Sequence, residues 1–161
     1  MASQTAPSKP PGQDTNNLVQ SALPKGSTLL QPPVEINLGD KRKGVVALYK
    51  QSEDDTVFNG FVLMSNGGGE PERTSLPPPH EVNGLWELDV ASILTVPSGT
   101  GPRALVILYK ARRFGLEDPP VKAGYVYAFR DGAWRIDDAG TKRLLGAADA
   151  TAARARLSAT R

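Results

Sequence analysis

Two groups of residues have side-chain types that could support catalysis, and both lack the partners that catalysis requires. His80 is the single histidine and stands between three prolines and Glu81. A His-Glu pair can transfer protons, but no nucleophile motif or metal-ligand motif accompanies it. Glu53, Asp54 and Asp55 form a run of carboxylates, a pattern that normally solvates a hairpin loop, and no acid in an apolar pocket is evident for glycoside chemistry. The sequence therefore predicts no catalytic residue, no metal site and no cofactor, and indicates that the protein is not an enzyme.

Residue types that mark protein interfaces occur in one long loop, residues 111–121. Arginine and aromatic side chains are enriched among interface hot spots, and the two prolines of this loop reduce its ordering cost on binding. The alternative is that Phe114 and Leu116 fold back as a small apolar cluster. Two further loops, residues 65–81 and 97–103, are the next candidates, and Ser98-Gly99 resembles the Ser-Gly loops of bacterial lysozyme inhibitors. The predicted partner-binding residues are Arg112, Arg113, Phe114, Leu116, Ser98 and His80.

The strands that must position these loops are organised as an internal repeat. KGVVALYK (43–50) returns as RALVILYK (103–110), NGFVLM (59–64) as AGYVYA (123–128), and NGLWELD (83–89) as DGAWRID (131–137). Three matches in the same order predict two sheet-forming units. We expect the first unit to cover about residues 34–90 and the second about 91–137.

These features predict a mainly β fold in which two repeated antiparallel four-stranded units, each resembling a propeller blade, pack together with a short C-terminal helix. Two blades cannot close a ring, so packing of the sheets face to face is expected. Trp86 and Trp134 each follow a turn glycine and are expected to anchor that packing. The glycines and prolines of residues 65–81 predict a loop. The C-terminal helical segment is expected over 141–158, with Asp149 as the N-cap of its main helix.

Composition limits the class of protein. The chain has 161 residues, no cysteine and a net charge of +2, so disulfides and thiolate metal sites are absent. The basic C-terminal tail is rich in alanine and has no aromatic residue, which argues against nucleic-acid binding. Residues 1–17 are polar and predict a flexible tether before a single domain over 18–161. Ala2-Ser3-Gln4 after the initial methionine indicates a chain that follows a removed export signal. Contact with a membrane is expected only through a lipid anchor that was removed with that signal. The alternative is a disordered cytoplasmic leader.

The segments LPKGSTLL (23–30) and VEINLGD (34–40), followed by an apolar strand that ends in Tyr49-Lys50, resemble secreted bacterial domains of the FG-GAP/VCBS type. In those domains an Asp-rich turn between two strands often binds calcium. Asp40 is the one carboxylate in the first such turn here, and residues 97–102 contain none. Because calcium needs about six to eight oxygen ligands, we predict no calcium in either turn. Related degenerate domains include exported lipoproteins that neutralise cell-wall-cleaving toxins, so the resemblance implies a binding role.

The function predicted from these observations is an extracytoplasmic protein-binding module of the periplasm or cell envelope. It is expected to be an inhibitor or immunity-type protein that occludes the active site of a cell-wall hydrolase or another toxin. One alternative is a structural envelope lipoprotein. Another is a peptidoglycan- or carbohydrate-binding domain, in which Tyr125 and Tyr127 line one sheet face and stack on sugars if they are exposed.

Overall fold

The computed structural model describes residues 13–39, 42–52, 58–66, 71–78, 86–97, 103–112 and 121–158. Its helices are α1 (Gln13–Ala22), α2 (Asp138–Arg143) and α3 (Ala150–Ser158). The first sheet contains β1 (Thr28–Leu29), β2 (Val34–Gly39), β3 (Arg42–Lys50), β4 (Asn59–Asn66) and β5 (Glu72–Leu76). The second sheet contains β6 (Trp86–Val96), β7 (Ala104–Arg112), β8 (Val121–Arg130) and β9 (Ala133–Ile136). The predicted mainly β class with two antiparallel sheets and a C-terminal helix is confirmed.

Both sheets follow the same plan. In the second sheet, neighbours in the chain pair in the order β6-β7-β8-β9. In the first sheet the order is β1-β3-β4-β5, and β2 pairs with the same edge of β3 as a continuation of β1. Pro32 and Pro33 lie between β1 and β2, and proline cannot donate a ladder hydrogen bond. The first sheet is therefore a four-position meander whose first edge strand is interrupted.

The register of the strands reproduces the internal repeat. Leu48 of β3 lies opposite Gly60 of β4, and Leu108 of β7 lies opposite Gly124 of β8. At both glycines an added Cβ would lie under 3 Å from the facing leucine, at 2.7 Å in the first sheet and 2.8 Å in the second. Glycine is required at these two positions because the leucine side chain covers the backbone of the neighbouring strand.

The limits of the two units differ from those predicted. Strand β6 runs from Trp86 through Val96 with two register shifts against β7, so it crosses the expected boundary at residue 90 and belongs wholly to the second sheet. The third sequence match therefore does not mark equivalent strands, because Trp86 lies in the first strand of the second sheet and Trp134 lies in its last strand. Irregularities of this kind let one long strand continue where the sequence suggests a break. The units observed are residues 28–76 and 86–136.

The structure corrects two local predictions and confirms a third. Residues 72–76, predicted as part of a loop, form edge strand β5, in which Thr74 and Leu76 are buried. Residues 13–17, predicted as tether, belong to α1, since docking of Val19 on the sheet holds a helix that its own composition would not. The C-terminal helix is confirmed as α3. Asp149, which directly precedes this helix, accepts through Oδ1 a hydrogen bond from the amide of Ala152 within the helix, at 2.8 Å.

The core consists of an inter-sheet layer and two outer layers. The inter-sheet cluster contains Leu48 of the first sheet and Tyr109 of the second. Their strand neighbours point outward: Tyr49 packs under α1, and Leu108 packs under α2 and α3. Equivalent positions in the two units therefore face opposite layers, so the inner face of one sheet corresponds to the outer face of the other.

Direct contacts hold edge strands of the first sheet over edge strands of the second sheet. At one side, the Arg103 amide donates to the Leu38 carbonyl oxygen at 3.0 Å, where β2 lies over β6. At the other side, Trp134 Nε1 donates to Thr74 Oγ1 at 3.0 Å, where β5 lies over β9. Trp134 is 3% exposed, which confirms its predicted anchoring role. The side chain of Trp86 lies outside the described residues.

Candidate protein-binding end of the sandwich

Six strand ends meet at one end of the two-sheet stack, which we call the loop end. In the first sheet, the pairs Tyr49–Asn59 and Gly60–Leu76 place the end of β3, the start of β4 and the end of β5 together. In the second sheet, the pairs Trp86–Arg112 and Ala111–Val121 place the start of β6, the end of β7 and the start of β8 together. The opposite end, where β2 turns into β3 and β6 turns into β7, is called the turn end.

Contacts between the sheets show that the two sets of strand ends lie on the same side. Phe58, directly before β4, packs edge-to-face on Tyr125 of β8 with ring centroids 6.4 Å apart. Tyr127 donates through its hydroxyl to the carbonyl oxygen of Pro77, directly after β5, at 3.3 Å. Three chain connections, over residues 51–58, 77–86 and 112–121, therefore start and finish at the loop end.

These connections carry five of the six predicted partner-binding residues. Arg112 is the last residue of β7, where its backbone pairs with Trp86, and its side chain lies outside the described residues. The other predicted residues, which also lie outside the described part of the chain, are His80, Arg113, Phe114, Leu116 and Ser98. The first four of these belong to connections at the loop end, whereas Ser98 belongs to the connection between β6 and β7 at the turn end. The topology thus brings the connection 112–121 together with the part of the second predicted loop that follows β5. The part of that loop between β4 and β5 and the loop that contains Ser98 belong to the turn end.

Below the loop end, three tyrosines form a buried cluster. The Tyr109 and Tyr125 rings stack with centroids 5.2 Å apart, and the Tyr125 and Tyr127 rings are 6.5 Å apart. Burial, followed by the charge and hydrogen bonding of Tyr125, holds the pKa of Tyr109 well above its ordinary range. Burial and then the charge of Tyr125 have the same effect on the pKa of Tyr127. The cluster is a neutral, rigid support for the loop end.

Burial of this cluster corrects one of the sequence-based alternatives. Tyr125 is 3% exposed and Tyr127 is fully buried, so neither ring can stack on a sugar. The alternation of Tyr125 and Tyr127 correctly places both rings on one sheet face. Alternation does not say whether that face is covered, and here the first sheet covers it.

Lysines from neighbouring strands lie near the loop end. Lys110 and Lys122 stand directly opposite each other in β7 and β8, and both are exposed. Like charges in this arrangement destabilise a sheet unless acidic groups lie close by. In the backbone register Asp89 stands on the other side of Lys110. Lys110 and Lys122 are thus two exposed positive charges that can contact carboxylates of a partner.

An open groove lies beside this end along the first sheet. Its volume is about 490 Å³, and it runs between the start of β1 and the residues that follow β3. The groove is lined by Gly26, Thr28, Leu30, Lys50, Gln51 and Ser52. The lining combines backbone groups with polar and apolar side chains, which suits contact with a polypeptide or another polar ligand.

The turn end has a structural contact network that the sequence does not reveal. The Arg103 guanidinium donates through Nε to Thr95 Oγ1 at 3.0 Å and through Nη2 to the Thr95 carbonyl oxygen at 3.1 Å. Thr95 Oγ1 donates to the carbonyl oxygen of Asn37 in the first sheet at 3.2 Å. These bonds join the two sheets beside the connection that contains Ser98.

Within the described ranges, no group of three or more histidine, aspartate or glutamate side chains could hold a metal ion. Among the helices of the same part of the chain, none combines the length and apolar character that crossing a membrane requires. No protein-family model, curated protein or solved structure matches this chain.

Proposed function

We propose that this protein is a protein-binding module and that the loop end of the sandwich is its binding surface. The observation that carries the proposal is the convergence of the connections 51–58, 77–86 and 112–121 at one end of a rigid two-sheet scaffold. Loops held by a rigid scaffold are the usual position of binding residues, because they vary without disturbing the core. The predicted residues Arg112, Arg113, Phe114 and His80 all belong to these connections.

Within this proposal, Arg112, Arg113 and Phe114 insert into or cap a cleft of the partner, and Leu116 adds apolar contact. Desolvated arginine and aromatic side chains contribute most of the binding energy in many interfaces. The exposed Lys110–Lys122 pair lies two residues along β7 from Arg112 and favours a partner with acidic groups around its cleft. Active-site clefts that hold catalytic carboxylates have this character, which is consistent with inhibition of a cell-wall hydrolase or a related toxin.

We further propose that the protein acts in the periplasm or cell envelope and that its two sheets are blade-like units. The first proposal rests on the resemblance to exported bacterial domains. The second is supported by the way the two sheets stack, because the face that contains Leu48 in the first sheet and the equivalent face that contains Leu108 in the second sheet point in the same direction. Fractionation of cells of the source organism tests the location: recovery of the native protein in the cytosol alone would contradict it.

The test of the binding surface compares an Arg112→Ala/Phe114→Ala variant with a control variant, Arg130→Ala/Arg135→Ala. The control also removes positive charge, and its two exposed arginines lie near the turn end. Each tagged protein is used to capture partners from envelope and culture extracts, and purified hydrolase partners are then assayed for inhibition. We expect the loop variant to lose both capture and inhibition, with a free energy of unfolding within about 1 kcal/mol of the unaltered protein.

The control variant should retain the same partner. If the loop variant captured and inhibited the partner as well as the unaltered protein, the loop end would not be the binding surface. If its stability collapsed, the loop would belong to the core, as in the alternative for Phe114 and Leu116. Retention on purified peptidoglycan, with no stoichiometric protein partner, would favour a glycan-binding module that uses groups other than the buried tyrosines.

A further inference from the structure

The first helix covers the outer face of the first sheet with few close contacts. Among the α1 side chains that the structure describes, residues 15–22, Val19 alone is fully buried. The exposed side chains are Asn17, Leu18, Gln20 and Ser21. Leu18, the largest apolar residue of the helix, is 45% exposed. Ala22 and, directly after the helix, Leu23 pack half-buried against the same cluster as Val19, so few apolar side chains among those described hold this ten-residue helix.

Two features next to the helix also indicate loose attachment. A cleft of about 140 Å³ lies at the edge of the contact between α1 and the sheet, lined by Thr15 and Leu18 of the helix and by strand residues that include Lys43 and Leu63. After the helix, Gly26 adopts a φ of +84° and has no neighbouring atom within 4 Å of an added Cβ position. Gly26 therefore lies in an exposed turn between α1 and β1.

The face under α1 has the character of an interface between sheets. Ala47 and Phe61 are directly paired and fully buried on this outer face. The equivalent pair in the second unit, Ile107 and Tyr125, lies on the inner face and is covered by the whole first sheet. In the first unit, a short helix replaces the sheet that covers the equivalent positions in the second.

We propose that α1 is a hinged cap, which leaves the first sheet and unwinds while the two-sheet core stays folded. A helix of this length is marginally stable alone in water, so it unwinds when Val19 leaves the sheet. Terminal elements with few buried contacts open at a lower free energy than the core does. Opening exposes the apolar face that contains Ala47, Tyr49, Phe61 and Leu63. The proposal does not depend on the function proposed for the loop end.

The absence of cysteine from the chain permits a direct test by thiol labelling. Ala47→Cys places a thiol beneath α1, and Ala123→Cys places a matched thiol in the inter-sheet core; both alanines are fully buried. Under native conditions we expect the Ala47→Cys thiol to react at least about tenfold faster, as local opening requires. Its rate should change little with low urea, whereas labelling of Ala123→Cys should rise steeply.

A second pair of substitutions assigns the opening to α1. Val19→Ala removes two buried methyl groups and should speed labelling of Ala47→Cys by about tenfold, without affecting Ala123→Cys. Leu18→Ala, at the adjacent exposed position, should change neither rate by more than about twofold. Equal labelling rates and equal urea dependence at Ala47→Cys and Ala123→Cys would overturn the proposal.

Hydrogen exchange on the unaltered chain provides a readout that no substitution can disturb. Amides of residues 17–22 should exchange well before those of residues 124–128 in β8, with little dependence on urea. Exchange of the helix amides only by global unfolding would refute a hinged cap even if an engineered thiol were reactive.

Discussion

The contact between Thr74 and Trp134 gives a sharp test of how the two sheets are held together. Thr74 Oγ1 accepts the indole N–H of Trp134 at 3.0 Å and donates to the Val62 carbonyl oxygen at 2.8 Å. Thr74 is 9% exposed and Trp134 is 3% exposed, so water cannot replace these partners. The substitution Thr74→Val keeps the shape of the side chain and removes both hydrogen bonds.

The expected loss of stability follows from the group left without a partner. A buried donor that loses its acceptor costs about 1–3 kcal/mol, because its desolvation is no longer offset. Valine has a strand propensity similar to that of threonine, so the strand itself should be little affected. We therefore expect Thr74→Val to lower the free energy of unfolding by about 1–3 kcal/mol.

The assay is urea unfolding followed by far-UV circular dichroism, which remains usable when the tryptophan is replaced. Thr74→Ser keeps the hydroxyl, loses one methyl group and should cost only about 0.8 kcal/mol. Trp134→Phe removes the donor, and in that background Thr74→Val should cost less than in the unaltered protein by about 1 kcal/mol or more. The slope of the free energy against urea should stay constant, since the surface exposed on unfolding does not change.

Two results would refute this reasoning. If Thr74→Val were as stable as the unaltered protein, the hydroxyl would have no net effect on the sheet contact. If the Thr74→Val cost were the same with and without Trp134, the coupling would be zero, and the loss would have to come from the Val62 bond alone.

Two further predictions concern the second sheet. Gly124→Ala places a Cβ 2.8 Å from Leu108 Cδ2 and 2.9 Å from Leu144 Cδ1. It should therefore lower the free energy of unfolding by about 1–3 kcal/mol in the same urea assay. A gain in stability would disprove the packing explanation. Because burial raises the pKa of Tyr109 and Tyr127 above the value of about 10 for an exposed tyrosine, the neutral rings give full stability below that pH. This stability is lost as the pH rises further, because the tyrosines of the unfolded chain ionise first. The phenolate absorbance of Tyr109 and Tyr127 should therefore appear together with alkaline unfolding. Its appearance in the folded protein would contradict the prediction.

The sequence alone predicts the fold class because the two central hairpins have strong, repeated patterns. Val45–Tyr49 and Leu105–Tyr109 are continuous apolar runs, which indicate strands covered on both faces. Strand neighbours are harder to predict: the similar segments around Trp86 and Trp134 suggested equivalent strands, yet they occupy opposite edges of one sheet. An alternating pattern specifies which side chains share a face and does not specify the strand that pairs with it.

Elements that depend on tertiary contacts are the ones that the sequence does not reveal. The five residues of β5 lie between glycine-rich and proline-rich segments that indicate a loop, and pairing with β4 makes them a strand. Helix α1 depends on the docking of Val19. For the candidate site, the sequence identifies the unusual loops, whereas the shared end of residues 77–81 and 112–121 follows only from the registers of β3 to β8.

The orientation of the repeat explains why the two outer faces need separate covers. Had the units packed through equivalent faces, Leu48 and Leu108 would both lie in the inter-sheet layer and both outer faces would contain the same positions. Leu48 instead lies inside and Leu108 outside, so each outer face is the equivalent of an inner face and keeps its apolar character. Such a stack has two open apolar ends, and open-ended stacks need caps to remain soluble. The second sheet has a firm cap, since Leu144 is fully buried over Gly124 and Thr141 Oγ1 accepts the Val126 amide at 3.0 Å. The first sheet is capped by α1, of whose described side chains Val19 is fully buried and Ala22 is half-buried. This asymmetry predicts that any exposure of apolar surface in the native protein begins at the N-terminal helix.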